Sequence, residues 1–209
     1  MKTTVQIILA VFLLVSLGQA KEMTFVIDDT GGRNVAKFSS KAPIETIVGT
    51  TNQVTGKITF DPDDLSKPAH GSVAVDIVSL NTGIKLRDEH MRGEDYLNTD
   101  TYPTATFVID NPVIAKVKSL VPGETVAVEV KGKFTVHGVT KDITIKGNAG
   151  YFMENPALAK MGYPGDMFNF DGEFSINLSD YNIKRPQFLV MKLAEEVKIR
   201  INFTATTGR

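Results

Sequence analysis

From Met167 to Leu178 the chain alternates without a break: Phe168, Phe170, Gly172, Phe174, Ile176 and Leu178 hold one phase, Asn169, Asp171, Glu173, Ser175 and Asn177 the other. A period of two sends successive side chains to opposite faces, so such a segment is stable as a strand with one buried and one wet face. The same pattern returns at Val126, Val128, Val130, Gly132, Phe134 and Val136, and at Val197, Ile199, Ile201, Phe203 and Ala205. Shorter copies stand at Met23/Phe25/Ile27, Val54/Gly56/Ile58/Phe60, Val73/Val75/Ile77 and Ala105/Phe107/Ile109.

Turn chemistry separates these runs. Asp61-Pro62-Asp63-Asp64, Pro122-Gly123 and His137-Gly138 are residues that reverse a chain, and Asp28 to Gly32 is another such cluster. Two-faced strands joined mostly by short turns make antiparallel sheet. The longest runs are about twice the common strand length, which suits a closed up-and-down barrel better than a sandwich of short strands. The expected fold is therefore all-β, an antiparallel barrel with one or two short helices in its crossover loops.

The inward phase then defines the wall: Phe60, Val75, Ile77, Phe107, Val128, Phe134, Phe174 and Ile176 are the expected ligand-binding residues inside the barrel. Phe, Ile and Val with few polar groups favour a long apolar guest. Gly56, Gly132 and Gly172 share that inward phase, where missing side chains leave room for a cavity; their alternative role is to let a coiled strand bend at a barrel corner.

Ser79 to Phe107 carries, in order, Arg87-Asp88-Glu89-His90-Met91, Tyr96-Leu97-Asn98-Thr99 and Tyr102-Pro103 leading into an alternating strand. With Gly132 to Ile145 (GKFTVHGVTKDITI), Leu178 to Ile183 (LSDYNI), FSSKAPIETIVG and GKITFDPDD, this series resembles the YceI-like, polyisoprenoid-binding family over nearly all of the chain after residue 21. The resemblance implies a lipocalin-like antiparallel barrel of about eight strands, a size that is either filled by side chains or holds one small ligand. It also implies an isoprenoid lipid as guest, of the isoprenoid quinone or polyprenyl phosphate type.

Lys2, the apolar run Val5 to Leu17 and the small residues Gly18 and Ala20 read as a secretory signal peptide over residues 1–20, cleaved between Ala20 and Lys21. Residues 21–209 then form one domain, acting in the periplasm or outside the cell. The chain has no cysteine, which leaves neither a lipobox nor a disulfide, and its formal net charge of −1 offers no footprint for nucleic acid or an anionic membrane surface.

The polar groups are few. Leu86 to Arg92 can make two helical turns ended at Gly93, with an Asp88–Arg92 pair and with Arg87, His90 and Met91 on one face. Arg87 and His90 meet a head-group oxygen at the barrel mouth in one reading. In the other, Arg87 and Asp88 tie the crossover to the barrel end, His90 is a satisfied interior group, and Tyr96 and Leu97 plug the opening. For Asp88 the tie is preferred.

His70, His90 and His137 stand in separate loops with no metal-ligand spacing, no Gly-x-Ser-x-Gly elbow occurs, and no cofactor is called for. Binding without catalysis, as carrier or store, is the expectation. An enzyme acting on an apolar substrate and a filled barrel serving as a stress-response module are the alternatives. Two loops, Asn155 to Gly165 and Asn182 to Met191, carry Met and Leu where a barrel would open, either as a lid or transiently membrane-touching lip or as a plug.

Overall fold

The computed structural model describes residues 21–208 apart from Asp29 and Thr30. The expected signal peptide, residues 1–20, lies outside the described residues. Eleven strands join in one antiparallel sheet. They are β1 (Met23–Asp28), β2 (Val35–Lys41), β3 (Thr46–Thr51), β4 (Val54–Phe60), β5 (Pro68–Asp76), β6 (Thr104–Pro112), β7 (Ile114–Ala115), β8 (Thr125–Val136), β9 (Val139–Phe152), β10 (Met167–Asn177) and β11 (Glu196–Thr206).

The eight-strand count comes from strands laid end to end. β1 pairs with β11 at Val26–Thr206 and β2 pairs with it from Val35–Asn202 to Ser40–Val197, so both lie along one edge. Their partners β4 and β3 form the next position in the same way. Asparagines bridge the two breaks: Asn52 Nδ2 donates to the Gly32 and Asn34 carbonyls, and the buried Asn34 accepts from the Thr204 amide at 2.9 Å. Side-chain amides thus satisfy backbone groups that the interrupted ladder leaves over. Counted so, the wall is a closed eight-stranded antiparallel barrel, its neighbours successive along the chain, as the alternation predicts.

The inward phase is the expected one. Phe168, Phe170 and Ile176 of β10, Val128, Phe134 and Val136 of β8, and Ile201, Phe203 and Ala205 of β11 are all buried. Outside, cross-strand ion pairs such as Lys133–Asp142, Glu173–Lys198 and Asp171–Arg200 face water. This is the reverse of a membrane-spanning barrel, whose lipid-facing wall is apolar.

The three inward glycines do not enlarge the interior. A Cβ at Gly132 would fall 2.5 Å from the Phe107 ring, and one at Gly172 would fall 2.6 Å from the Phe170 ring. Neighbouring rings already occupy that space. Gly56, at φ +153°, lies against the Ser72 carbonyl of the adjacent strand and allows the close approach.

Strand direction assigns the loops to ends. The β2–β3 turn, the β5–β6 connection with helix α1 (Lys85–Arg92), the His137-Gly138 turn and the β10–β11 connection share one end. The β9–β10 connection with helix α2 (Pro156–Lys160) lies at the other. The two Met- and Leu-bearing loops, expected together at the opening, are therefore a full strand apart. At the α2 end Phe25, Phe60 and Phe168 cluster with ring centroids 5.0–5.7 Å apart, Phe25 stacked on Phe60 and Phe168 edge to face with Phe60, and buried Leu65 and Leu120 close the floor.

Candidate functional site

The barrel interior holds two apolar cavities that share Ala36, Val75, Ala105, Phe134 and Ile199 in their walls. The inner one, about 100 Å³, lies toward the closed floor. The outer one, about 470 Å³, opens at the α1 end. Of the wall residues expected from the sequence, Phe60, Phe107, Val128 and Phe174 line the inner cavity, Ile77 and Ile176 the outer, and Val75 and Phe134 both. The walls are almost wholly hydrocarbon. Leu80, Leu178, Ile183, Leu189 and Leu193 complete the outer cavity from its two long connections; Leu178 ends the alternating run of β10 and Leu189 lies in the expected Met- and Leu-bearing loop, whereas Leu80 and Leu193 stand in no simple period.

The cavity arises where α1 replaces sheet. β5 stops at Asp76, and the connection bridges back to the wall through the Thr50–Asn81 pairing before the helix begins. Helix α1 starts at Lys85, one residue before the expected position, after Ile84, which makes no side-chain cap. It ends before Gly93, whose amide returns to the His90 carbonyl at 3.0 Å.

Polar side chains of this segment act mainly as braces. Asp88, buried, accepts from the amide of Thr82 at 2.9 Å and from its hydroxyl. The expected Asp88–Arg92 pair does not form, because Arg92 instead donates to the carbonyls of Leu80 at 3.1 Å and Val78 at 3.2 Å. Arg87 donates to Thr82 Oγ1 (2.8 Å), the Thr82 carbonyl (3.0 Å) and Glu45 Oε1 (2.7 Å), so it ties the crossover to the β2–β3 turn.

Arg87 and His90 both line the outer cavity. They differ in what is left to bind. Three of the five guanidinium N–H groups are taken. His90 is exposed at the rim instead of satisfied in the interior, and its ring makes no hydrogen bond or ion pair among the described residues. Half-buried Tyr96 and exposed Lys192 also line the cavity with uncommitted polar ends. Lys192 was not marked in the sequence; its signal was position, the basic flank of the Phe188–Met191 run.

The opposite rim is pinned by Glu195, which accepts from the Ser179 amide at 2.9 Å and pairs with Arg185 at 3.3 Å. Hydrogen bonds from Ser179, reinforced by Arg185 against the opposing effect of burial, hold its carboxyl below the usual glutamate range. His137 sits at φ +52° in the two-residue β8–β9 turn with Gly138 at +73°, and its Nδ1 lies 3.0 Å from the Tyr181 carbonyl. It is a turn residue. Among the described residues no group of three or more His, Cys, Asp or Glu is placed to hold a metal.

A YceI-like domain model matches residues 21–205. The chain is 34% identical over 176 residues to a UPF0312 protein of Pseudomonas savastanoi pv. phaseolicola, covering 83% of each chain. It is 30% identical over 175 residues to the YceI protein of Escherichia coli O157:H7, covering 82% of each. Among solved structures, a polyisoprenoid binding domain from Saccharophagus degradans, implicated in plant cell wall breakdown, superposes with a TM-score of 0.65 at 20% identity, covering 88% of this chain and 99% of that one. Burkholderia cenocepacia BcnA gives a TM-score of 0.62 at 21% identity, covering 86% and 99%. The chain belongs to the YceI-like family, and these neighbours share its barrel.

Proposed function

We propose that this barrel binds an isoprenoid lipid, with the chain in the outer cavity and the head at the rim, and that it carries or stores the lipid without chemical change. The observation that bears the reading is the outer cavity itself: about 470 Å³ of hydrocarbon wall, open at one end, with His90, Tyr96 and Lys192 uncommitted at the opening. Each buried methylene contributes roughly 0.8 kcal/mol, so a chain supplies the affinity and a few polar contacts orient the head. The Saccharophagus degradans neighbour, a polyisoprenoid binding domain, supports the same guest.

A head of the isoprenoid quinone or polyprenyl phosphate type suits a rim that offers imidazole, phenol and ammonium groups. The protein acts in the periplasm or outside the cell, after removal of residues 1–20. Extraction of the purified protein with organic solvent, followed by mass spectrometry, tests the assignment. An isoprenoid at near-stoichiometric yield is expected. An empty extract, together with failure of the delipidated protein to take up an isoprenoid, would reject it in favour of a filled barrel.

A further inference from the structure

The outer cavity accounts for the apolar side chains that face it, but not for those beside it. Ile44 in the β2–β3 turn and Phe188 and Met191 in the β10–β11 connection are 65%, 80% and 47% exposed, and none of the three lines the cavity. They nonetheless sit together at its rim. The amide of Ile44 donates to the Met191 carbonyl at 3.1 Å, joining the two segments, and Leu189 and Lys192, on either side of Met191 in the chain, are cavity wall. Three apolar side chains are turned to water at one edge, and among the described residues none of them belongs to or packs against either buried core cluster.

Unpaired charge around them is predominantly basic. Lys41, Lys184 and Lys192 flank the three in sequence, are exposed, and form no ion pair among the described residues. Of the acids in the same two segments, Glu45 is paired with Arg87 and Glu195 with Arg185, while Asp180, exposed at the start of the β10–β11 connection, accepts only from the Asn177 side-chain amide among the described residues. Glu94 and Asp95, the exposed acids after α1, belong to the β5–β6 connection and not to the two segments that carry the three lysines.

Although the overall charge balance gives no such footprint, we infer from this local cluster that the edge docks on a bilayer surface bearing anionic head groups. Ile44, Phe188 and Met191 enter the interface while Lys41, Lys184 and Lys192 meet phosphates, the arrangement of an interfacial anchor that does not span. The water-facing ion pairs of the outer wall keep the rest of the barrel out of the membrane. Docking on this edge sets the mouth of the outer cavity against the membrane, so an apolar chain passes between bilayer and barrel without crossing water. The inference rests on the isoprenoid reading for its purpose, but not for its test.

The test is flotation of the chain from Lys21 onward, which holds the whole barrel, with vesicles of phosphatidylcholine alone or mixed with phosphatidylglycerol. Wild type is expected to float with the mixed vesicles and poorly with the neutral ones. Joint Phe188→Ser and Met191→Ser substitution should weaken partition by about tenfold or more, and Lys184→Glu with Lys192→Glu should abolish the preference for phosphatidylglycerol. Because Phe188 and Met191 are exposed and outside the cavity, isoprenoid retention measured without vesicles should stay as in wild type for the serine variant. Wild type that fails to float with mixed vesicles, or a serine variant that floats equally well, overturns the inference. So does a dimer in solution that the serine variant dissociates, since the edge then covers a second copy. An error in the isoprenoid reading shows itself separately, as empty vesicle-free extracts with flotation intact.

Discussion

Phe134 and Phe174 meet edge to face, their centroids 5.0 Å apart, at the level where the two cavities share wall residues. Phe134 also meets Tyr181 at 5.7 Å, so its ring is held from two sides. On the proposed isoprenoid reading, this pair would set how deep a guest reaches from the outer cavity. Phe134→Ala should cost roughly 3–5 kcal/mol of stability, as for other buried Phe truncations, and should shift retention toward longer chains by joining the cavities. Denaturant titration gives the first quantity, and competition between short and long isoprenoids the second. An unchanged length preference would show that the pair does not set the depth.

Gly172 makes the opposite prediction. Space beside it is filled by the Phe170 ring and by Ile145, whose Cγ2 would lie 2.8 Å from an added Cβ. Gly172→Ala therefore overpacks the wall and should destabilise by about 1–3 kcal/mol. A variant as stable as wild type by thermal melting would mean that the ring moves aside at no cost.

The wall was legible because alternation survives translation into a closed sheet: the phase of Phe168, Phe170 and Ile176 is right at each position. β9 was legible only in part. Its inward face carries Gly147 and Ala149, small because β10 approaches closely; a Cβ at Gly147 would fall 2.7 Å from Gly172 Cα. Small residues erase the hydrophobic signal that alternation needs. The breaks after β1 and β3 were hidden for a different reason, since Asn34 and Asn52 read as ordinary loop residues until their amides are seen bridging them. At the site, sequence spacing set Arg87 and His90 on the same cavity, but which of them is already engaged depends on Glu45 and Thr82, and no local pattern reports that.

Acid should loosen the mouth before the barrel. Glu195 has its folded pKa held below the ordinary value of 4.5, first by Ser179 and then by Arg185. Its contribution is therefore complete above about pH 4.5 and is lost as pH falls through the lower folded value. Hydrogen exchange across residues 178–193, corrected for intrinsic rates, should rise in that window for wild type. Glu195→Gln should exchange faster already at neutral pH and lack the acid-linked rise. Equal protection in both proteins would remove Glu195 as the pin.

The rim offers the sharpest separation of bracing from binding. Arg87→Ala removes three hydrogen bonds that hold the crossover to Thr82 and Glu45, so it should lower stability by roughly 1–3 kcal/mol and weaken an intact isoprenoid and a head-truncated hydrocarbon alike. Arg87→Lys should not rescue it, since a single ammonium cannot reproduce the forked guanidinium contacts. His90→Ala removes no internal bond. Its melting curve should match wild type, while affinity for the intact lipid falls by about 0.5–1.5 kcal/mol, up to roughly tenfold, with the hydrocarbon unaffected. Titrating both ligands against the three variants, with a melt for each, checks the division. If His90→Ala weakens both ligands equally, or neither, the head does not sit at this imidazole and the orientation of the guest must be reversed or moved toward Lys192 and Tyr96.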